Sequence, residues 1–317
     1  MKKVFTDEEK GDILKIVKVW KRDQLNQDVF RSIQISSGVP ARLVELMFWH
    51  MDTLDALRPM DHLVFKGGTC VQVHLAPDLQ RASVDLDFNS AVGHPDAVER
   101  KFGELNSVLE KKGRAAVVGG IRFGFLEKGW VDRHTGTITF HRRMPSRFGE
   151  VEAVDGIRVQ AKSIRVQINY KNSWLPAIKS EKKDIRFFIT EHQKPCSEVE
   201  FLISSAEDLF ADKILATCSS GHFGRERFKD VYDMLVLSSG VDGTDVVRKL
   251  DMVAEKSRLN TRSIIETSIE TISNLSERSQ EAKGFASMAC RGGKALVADW
   301  ESRCISLIGV LKQIKLD

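Results

Sequence analysis

The chain has 317 residues, enough for one large domain or two modest ones with a sizeable core. At 42% hydrophobic and 29% charged it has a globular balance, which excludes fibrous and disordered classes, and no apolar run approaches the roughly 20 residues that a membrane helix needs. Net charge is only +4, but residues 111–189 hold 17 Lys or Arg against 7 Asp or Glu, so a basic middle sits in an otherwise acidic chain and suits either a phosphate-rich partner or a solvated surface with acidic neighbours.

The N-terminal MKKVFTDEEKGD is charged throughout and has no apolar stretch, so no secretory signal is expected. Five scattered cysteines (Cys70, Cys196, Cys218, Cys290 and Cys304) lack CxxC spacing and read as reduced thiols of a cytoplasmic protein. Thr6 and Glu9 have capping-box spacing at the head of a first helix. PARLVELMFWHMDTLDAL has apolar residues at helical spacing, with Pro40 in its first turn. HLVFK then reads as a strand, Gly67-Gly68-Thr69 as a turn, CVQVHL as a helix and VDLDF as a second strand, followed by a helix from Ala97 to Lys112.

The basic middle reads as β: GGIRFGFLEKG, TGTITFHRR, GIRVQAKSIRVQINYKN and KDIRFFIT alternate between turn residues. From Ser205 the pattern is helical again, through SAEDLFADKILATC and RERFKDVYDMLVLSS to a bundle over 242–317. The expected domains are a helical segment (1–60), a mixed α/β core (61–204) and a C-terminal helical domain (205–317).

Asp85 and Asp87 lie two apart in an apolar run, so both carboxylates project from one face of a strand. A solvent-facing edge strand would tolerate this. A calcium loop is excluded, because the glycine and glutamate that an EF-hand requires are missing. A divalent cation held for phosphoryl or nucleotidyl transfer would neutralise the pair. The Gly-Gly-Thr turn favours the last reading, since glycines allow close backbone approach to phosphate and backbone amides bind anions. The turn lacks P-loop spacing.

Together, FKGGTCVQVHL and RASVDLDF resemble the AbiEii nucleotidyltransferase toxins, a family that includes the MenT toxins and carries an apolar-Lys-Gly-Gly-Thr turn followed by Arg-x-Ser-x-Asp-Leu-Asp-Phe. SAEDLFADKILA is similar to the family's lysine-bearing helix and RERFKDVYDMLVL to its later acidic helix, in the same order. The motif-bearing resemblance spans about residues 60–240. It implies a polymerase-β-like nucleotidyltransferase core with a mixed sheet, flanked by N-terminal helices and a C-terminal helical bundle. It also implies Asp85, Asp87, Lys213 and Asp230 as catalytic residues, with Asp85 and Asp87 binding Mg²⁺, and the turn Gly67-Gly68-Thr69 as part of the nucleotide site.

Several roles stay open. Lys66 either contacts phosphate or orients the turn, and Arg81 is either a phosphate or ribose donor or part of a loop salt bridge. Asp233 is expected to pair with Arg225 or Arg227, although it could exchange roles with Asp230. His222 reads as a loop residue and His74 as core. Where many such enzymes carry a third carboxylate on a later strand, IRVQINY offers Gln167 and Asn169; either one metal suffices or Glu152 or Asp155 supplies the ligand.

The resemblance implies a toxin of a toxin–antitoxin or phage-defence pair that adds NMP from an NTP to RNA, tRNA above all, beside an antitoxin protein. The basic middle fits an RNA, with Trp130, Phe123, Phe140 and Tyr170 as either stacking or core residues, and HRRMPSRF (Arg142, Arg143, Arg147) as a phosphate-contacting loop. NMP transfer to a protein hydroxyl, or RNA or partner binding without catalysis, are the alternatives.

Overall fold

The computed structural model describes residues 27–118, 120–154, 157–171, 180–190, 199–223, 227–257 and 259–314. Thr6, Glu9, Asp155, Cys196 and Arg225 lie outside them, as do the side chains of Arg147, Glu152 and His222.

Nine strands are formed among the described residues: β1 (Leu63–Lys66), β2 (Asp85–Ser90), β3 (Ala116–Val118), β4 (Ile121–Phe123), β5 (Leu126–Asp132), β6 (Thr137–Val154), β7 (Ile157–Asn169), β8 (Ser180–Asp184) and β9 (Glu200–Ser204). Seven make one mixed sheet in the order β5-β6-β7-β2-β1-β9-β8, and β3 pairs only with β4. β2 is central: it runs antiparallel to β1 on one side and parallel to β7 on the other. The solvated-edge reading of its two aspartates is therefore wrong, because β2 has no free edge.

Period-two alternation then decides what each face does. Leu86 and Phe88 of β2 and Ile164, Val166 and Ile168 of β7 are wholly buried on one face. Phe88 joins Phe65 and Phe201 in an aromatic cluster with ring centroids 5.2 and 5.6 Å from it. Two helices cover this apolar face. Helix α2 (Ala41–Leu57) is buried along nearly its whole length and lies between the sheet and α1 (Gln27–Ser37), where Phe30 meets Phe48 edge-on. Helix α4 (Pro95–Lys111) stacks Phe102 on Phe140 of β6 at 4.3 Å. The opposite face is left with Asp85 and Asp87.

Three expectations are corrected. HRRMPSRF is not a loop but part of β6, which pairs with β7 through a register break between Pro145 and Glu150; the break accommodates the proline, which has no amide to donate. Arg142 is wholly buried there and donates to Asp52, Thr53 and the Gly124 carbonyl. KDIRFFIT is strand only as far as Asp184; Ile185, Phe187 and Phe188 all enter the core, so period two fails, and the Phe188 amide donates to the Gln80 side chain instead of a ladder.

The C-terminal helices build a second layer against the site. Helix α5 (Ala206–Phe223) packs on α6 (Phe228–Leu237), α7 (Gly243–Ser257) and α8 (Thr261–Ser276). Lys249 reaches Asp208 at 3.0 Å in a buried pair that ties α7 to α5. Residues 80–82 pair with 288–290 through the Ala82 amide to Met288 and the Cys290 amide to Gln80, both 2.8 Å, which clamps the loop before β2 to the segment just ahead of the Arg291–Ala298 helix. No helix among the described residues is long and apolar enough to cross a membrane.

Candidate active site

The glycine turn comes first because everything else touches it. Gly67 has φ +76°, a conformation that a side chain makes costly, and a Cβ on it would collide with the Asp87 carboxylate. A Cβ on Gly68 would lie 2.7 Å from Nη2 of Arg81. The two glycines thus let the backbone approach both the aspartate strand and the arginine loop. The turn opens only a five-residue helix, α3 (Gly67–Val71), which continues as a single 3-10 turn, Gln72–His74, shorter than the helix expected from CVQVHL. The Thr69 hydroxyl donates to the Asp85 carbonyl, so it braces the turn against β2. His74, expected in the core, is partly buried with Nε2 3.0 Å from the Ser204 carbonyl.

On β2, the ladder sets Lys66 beside Asp87 and Arg165 beside Asp85. Arg165 forks Asp85, with Nε and Nη2 at 2.9 and 2.5 Å from its two oxygens. That bond holds the guanidinium above its ordinary pKa. Asp87 has no such fork. Burial pushes its pKa up to about 6, and the Asp85 charge adds to the rise against the pull of Lys66, Lys213 and Arg165. The two carboxylates share one face, with a cation on either side.

Behind them stands a buried ion network. Lys213 on α5 lies 2.7 Å from Asp230 and 2.8 Å from Asp233, both on α6. Burial alone would depress this lysine, but Asp233 and Asp230 hold it above its usual value. Asp233 is wholly buried and also receives both arms of Arg81, at 2.8 and 2.7 Å. Arg81 and Lys213 outweigh the burial of Asp233 and keep its pKa low. Asp230 faces Lys213 and Arg227, the latter at 3.3 Å.

The expected division between the two aspartates therefore needs a new partner. Asp233 pairs with Arg81 and Lys213, whereas Arg227 pairs with Asp230. Of the two options for Arg81, the structure has the salt bridge: its guanidinium is buried, with Nη1 also donating to the Ala82 carbonyl. Sequence reading also passed over Arg165. Its signal was present, since it alternates in phase with Gln167 on IRVQINY, but a carboxylate was sought there and a cation was found.

Gln167 pairs across from Asp87 and Asn169 across from Asn89, so β7 brings no carboxylate to this face. Among the described residues no group of three or more His, Cys, Asp or Glu could hold a metal. The available pair still suits Mg²⁺, which is commonly bound through one or two carboxylates together with substrate phosphates. Phe123, Phe140 and Tyr170 are core residues, whereas Trp130 is 47% exposed on the edge strand β5, beside His141.

A family model described as "Nucleotidyl transferase AbiEii toxin, Type IV TA system" matches residues 51–300. No curated protein matches the chain. Among solved structures, a crystal structure of a proposed nucleotidyltransferase from H. pylori aligns over 84% of this chain and 93% of its own, at 13% identity and a TM-score of 0.37. The family match spans most of the chain and takes in the glycine turn, the aspartate strand and both charged helices, and on that ground the chain belongs to the AbiEii nucleotidyltransferase toxins of type IV toxin–antitoxin systems, enzymes that act on a nucleotide and are paired with an antitoxin.

Proposed function

We propose that this enzyme transfers NMP from an NTP to the 3′ end of a tRNA, with Mg²⁺ held by Asp85 and Asp87, and that it thereby blocks translation in the cytoplasm, as in defence against phage. The observation that carries the reading is the meeting of Gly67 with Asp87 and of Gly68 with Arg81, directly in front of the Lys213–Asp230 pair. A backbone turn without side chains, two carboxylates on one open sheet face and a buried cation behind them form a cradle for a metal-bound triphosphate.

The chemistry asks little covalent work of the protein. An acceptor hydroxyl oxygen bonds to the α-phosphorus, the bond to the β-phosphate breaks, and pyrophosphate leaves as the hydroxyl proton passes to a base. Charge accumulates on the phosphoryl oxygens, and preorganised cations stabilise it. Mg²⁺ would supply part of that charge. Lys213 supplies a fixed ammonium, positioned by Asp230 and Asp233, and Lys66 adds a second from β1.

Purified protein with Mg²⁺, total bacterial RNA and each α-labelled nucleotide in turn tests the reading. Label at tRNA length, absent with Asp87→Ala, is the expected result and names the nucleotide. Label on protein would replace RNA by a protein hydroxyl as the acceptor, and no label with any nucleotide would overturn transfer.

A further inference from the structure

We infer that Arg165 is a nucleotide-binding residue: on arrival of the metal-bound NTP its guanidinium leaves Asp85 for the triphosphate and serves there in place of a second metal ion. The inference rests on the nucleotidyl-transfer reading of the same site and adds a residue to it.

Three observations converge. The ladder puts Arg165 directly beside Asp85 on the adjacent parallel strand and Gln167 at the next same-face position beside Asp87, so this strand brings a cation and an amide to the aspartate pair and no third carboxylate. A guanidinium at that position supplies part of the positive charge that a second metal would otherwise bring to the triphosphate. Second, Arg165 takes one acceptor site on each oxygen of Asp85, at 2.9 and 2.5 Å, so a metal arriving at Asp85 competes with the guanidinium for it. Third, the Arg165 side chain is 40% exposed while Asp85 is 24% exposed, so the arm has room to swing toward a ligand on the open face. A planar guanidinium is well matched to phosphate oxygens and can exchange one oxyanion for another without a new fold around it.

The contrast with Arg81 supports the assignment. Arg81 forks an aspartate in the same way, but both partners are buried and the pair is locked into the loop clamp. Arg165 forks a partly open aspartate at the site itself.

The test separates a ligand-binding arm from a brace that merely holds Asp85. Wild type, Arg165→Gln and Arg165→Lys would be titrated with a fluorescent NTP and its NMP in Mg²⁺ without acceptor, and separately with Mn²⁺ alone, followed by its EPR signal. Arg165→Gln should bind NTP about tenfold or more weakly, the loss of a charge-assisted bond, while NMP binding changes little. The same variant should bind Mn²⁺ several-fold more tightly, because Asp85 is released, and Arg165→Lys should recover part of the NTP affinity. Opposite signs for NTP and Mn²⁺ are the signature of the inference. NTP binding equal to wild type, or loss of both NTP and Mn²⁺ binding with a lowered Tm, would reduce Arg165 to a brace and leave the enzyme reading intact. If wild type itself binds no NTP in Mg²⁺, the nucleotidyl-transfer site fails and the inference falls with it.

Discussion

Arg81 and Asp233 are 152 residues apart in the chain and meet through two hydrogen bonds of 2.8 and 2.7 Å, with almost no solvent contact on either side. This pair joins the loop before the aspartate strand to the helix that also carries Asp230. Lys213, bonded to Asp230 and Asp233 alike, extends the joint to the second aspartate of that helix.

Removing one partner of a buried pair leaves the other charged in a low-dielectric interior. Asp233→Asn and Arg81→Ala should each destabilise the fold by about 3–5 kcal/mol, read from urea unfolding. Asp230→Asn leaves Lys213 with Asp233 and should cost stability little while lowering transfer by at least ~10²-fold, in the range of a lost transition-state contact. Equal destabilisation by Asp230→Asn and Asp233→Asn would contradict this division.

Gly67 should tolerate no side chain. At φ +76° and packed on the Asp87 carboxylate, Gly67→Ala adds backbone strain and pushes Asp87 off the face it shares with Asp85. Strain alone costs roughly 1 kcal/mol or more. The expected outcome is a folded protein, by circular dichroism, whose metal binding and transfer fall together. Unchanged activity would show that the close approach has no functional part.

Asp87 sets a pH dependence. Its folded pKa, near 6, lies above its ordinary 3.8, so between these values the folded state holds a proton that the unfolded chain has released. Metal-free stability therefore falls as pH rises from about 4 to 6 and stays reduced above that, by roughly 1–3 kcal/mol after allowance for partial exposure. In EDTA at pH 8, Asp87→Asn should raise the Tm, and at pH 4 the two proteins should melt together; assayed separately with Mg²⁺, the variant should show no transfer. An unchanged or lowered Tm at pH 8 would remove the burden assigned to this carboxylate.

Arg142 and Arg143 should behave differently although they are neighbours. The Arg142 guanidinium is buried on Asp52 at 2.6 Å, so Arg142→Ala should destabilise by about 3–5 kcal/mol and lower RNA binding only through loss of folded protein. If Arg143 contacts RNA, Arg143→Ala should keep the Tm and reduce the salt slope of binding by about one unit. A stable Arg142→Ala protein with weakened RNA binding would reverse the assignment.

The candidate site residues were legible by two routes. Asp85 and Asp87 two apart on a strand share a face and Gly67-Gly68 allow close approach, whereas Lys213 and Asp230 were singled out by the family resemblance. The counterions were not legible. Whether an arginine ends in solvent, in the core or against a carboxylate depends on register and helix docking between segments far apart in the chain, and local pattern is silent on both. Arg165 reached Asp85 because β7 pairs with β2, Arg81 reached Asp233 because α6 packs behind the glycine turn, and Arg142 turned inward onto Asp52 because α2 lies under β6. Sequence by itself determined that two aspartates share a strand face beside a glycine turn; tertiary packing decided which cations are buried on an aspartate and which stay partly exposed beside one, because burial makes pairing obligatory and exposure leaves it optional.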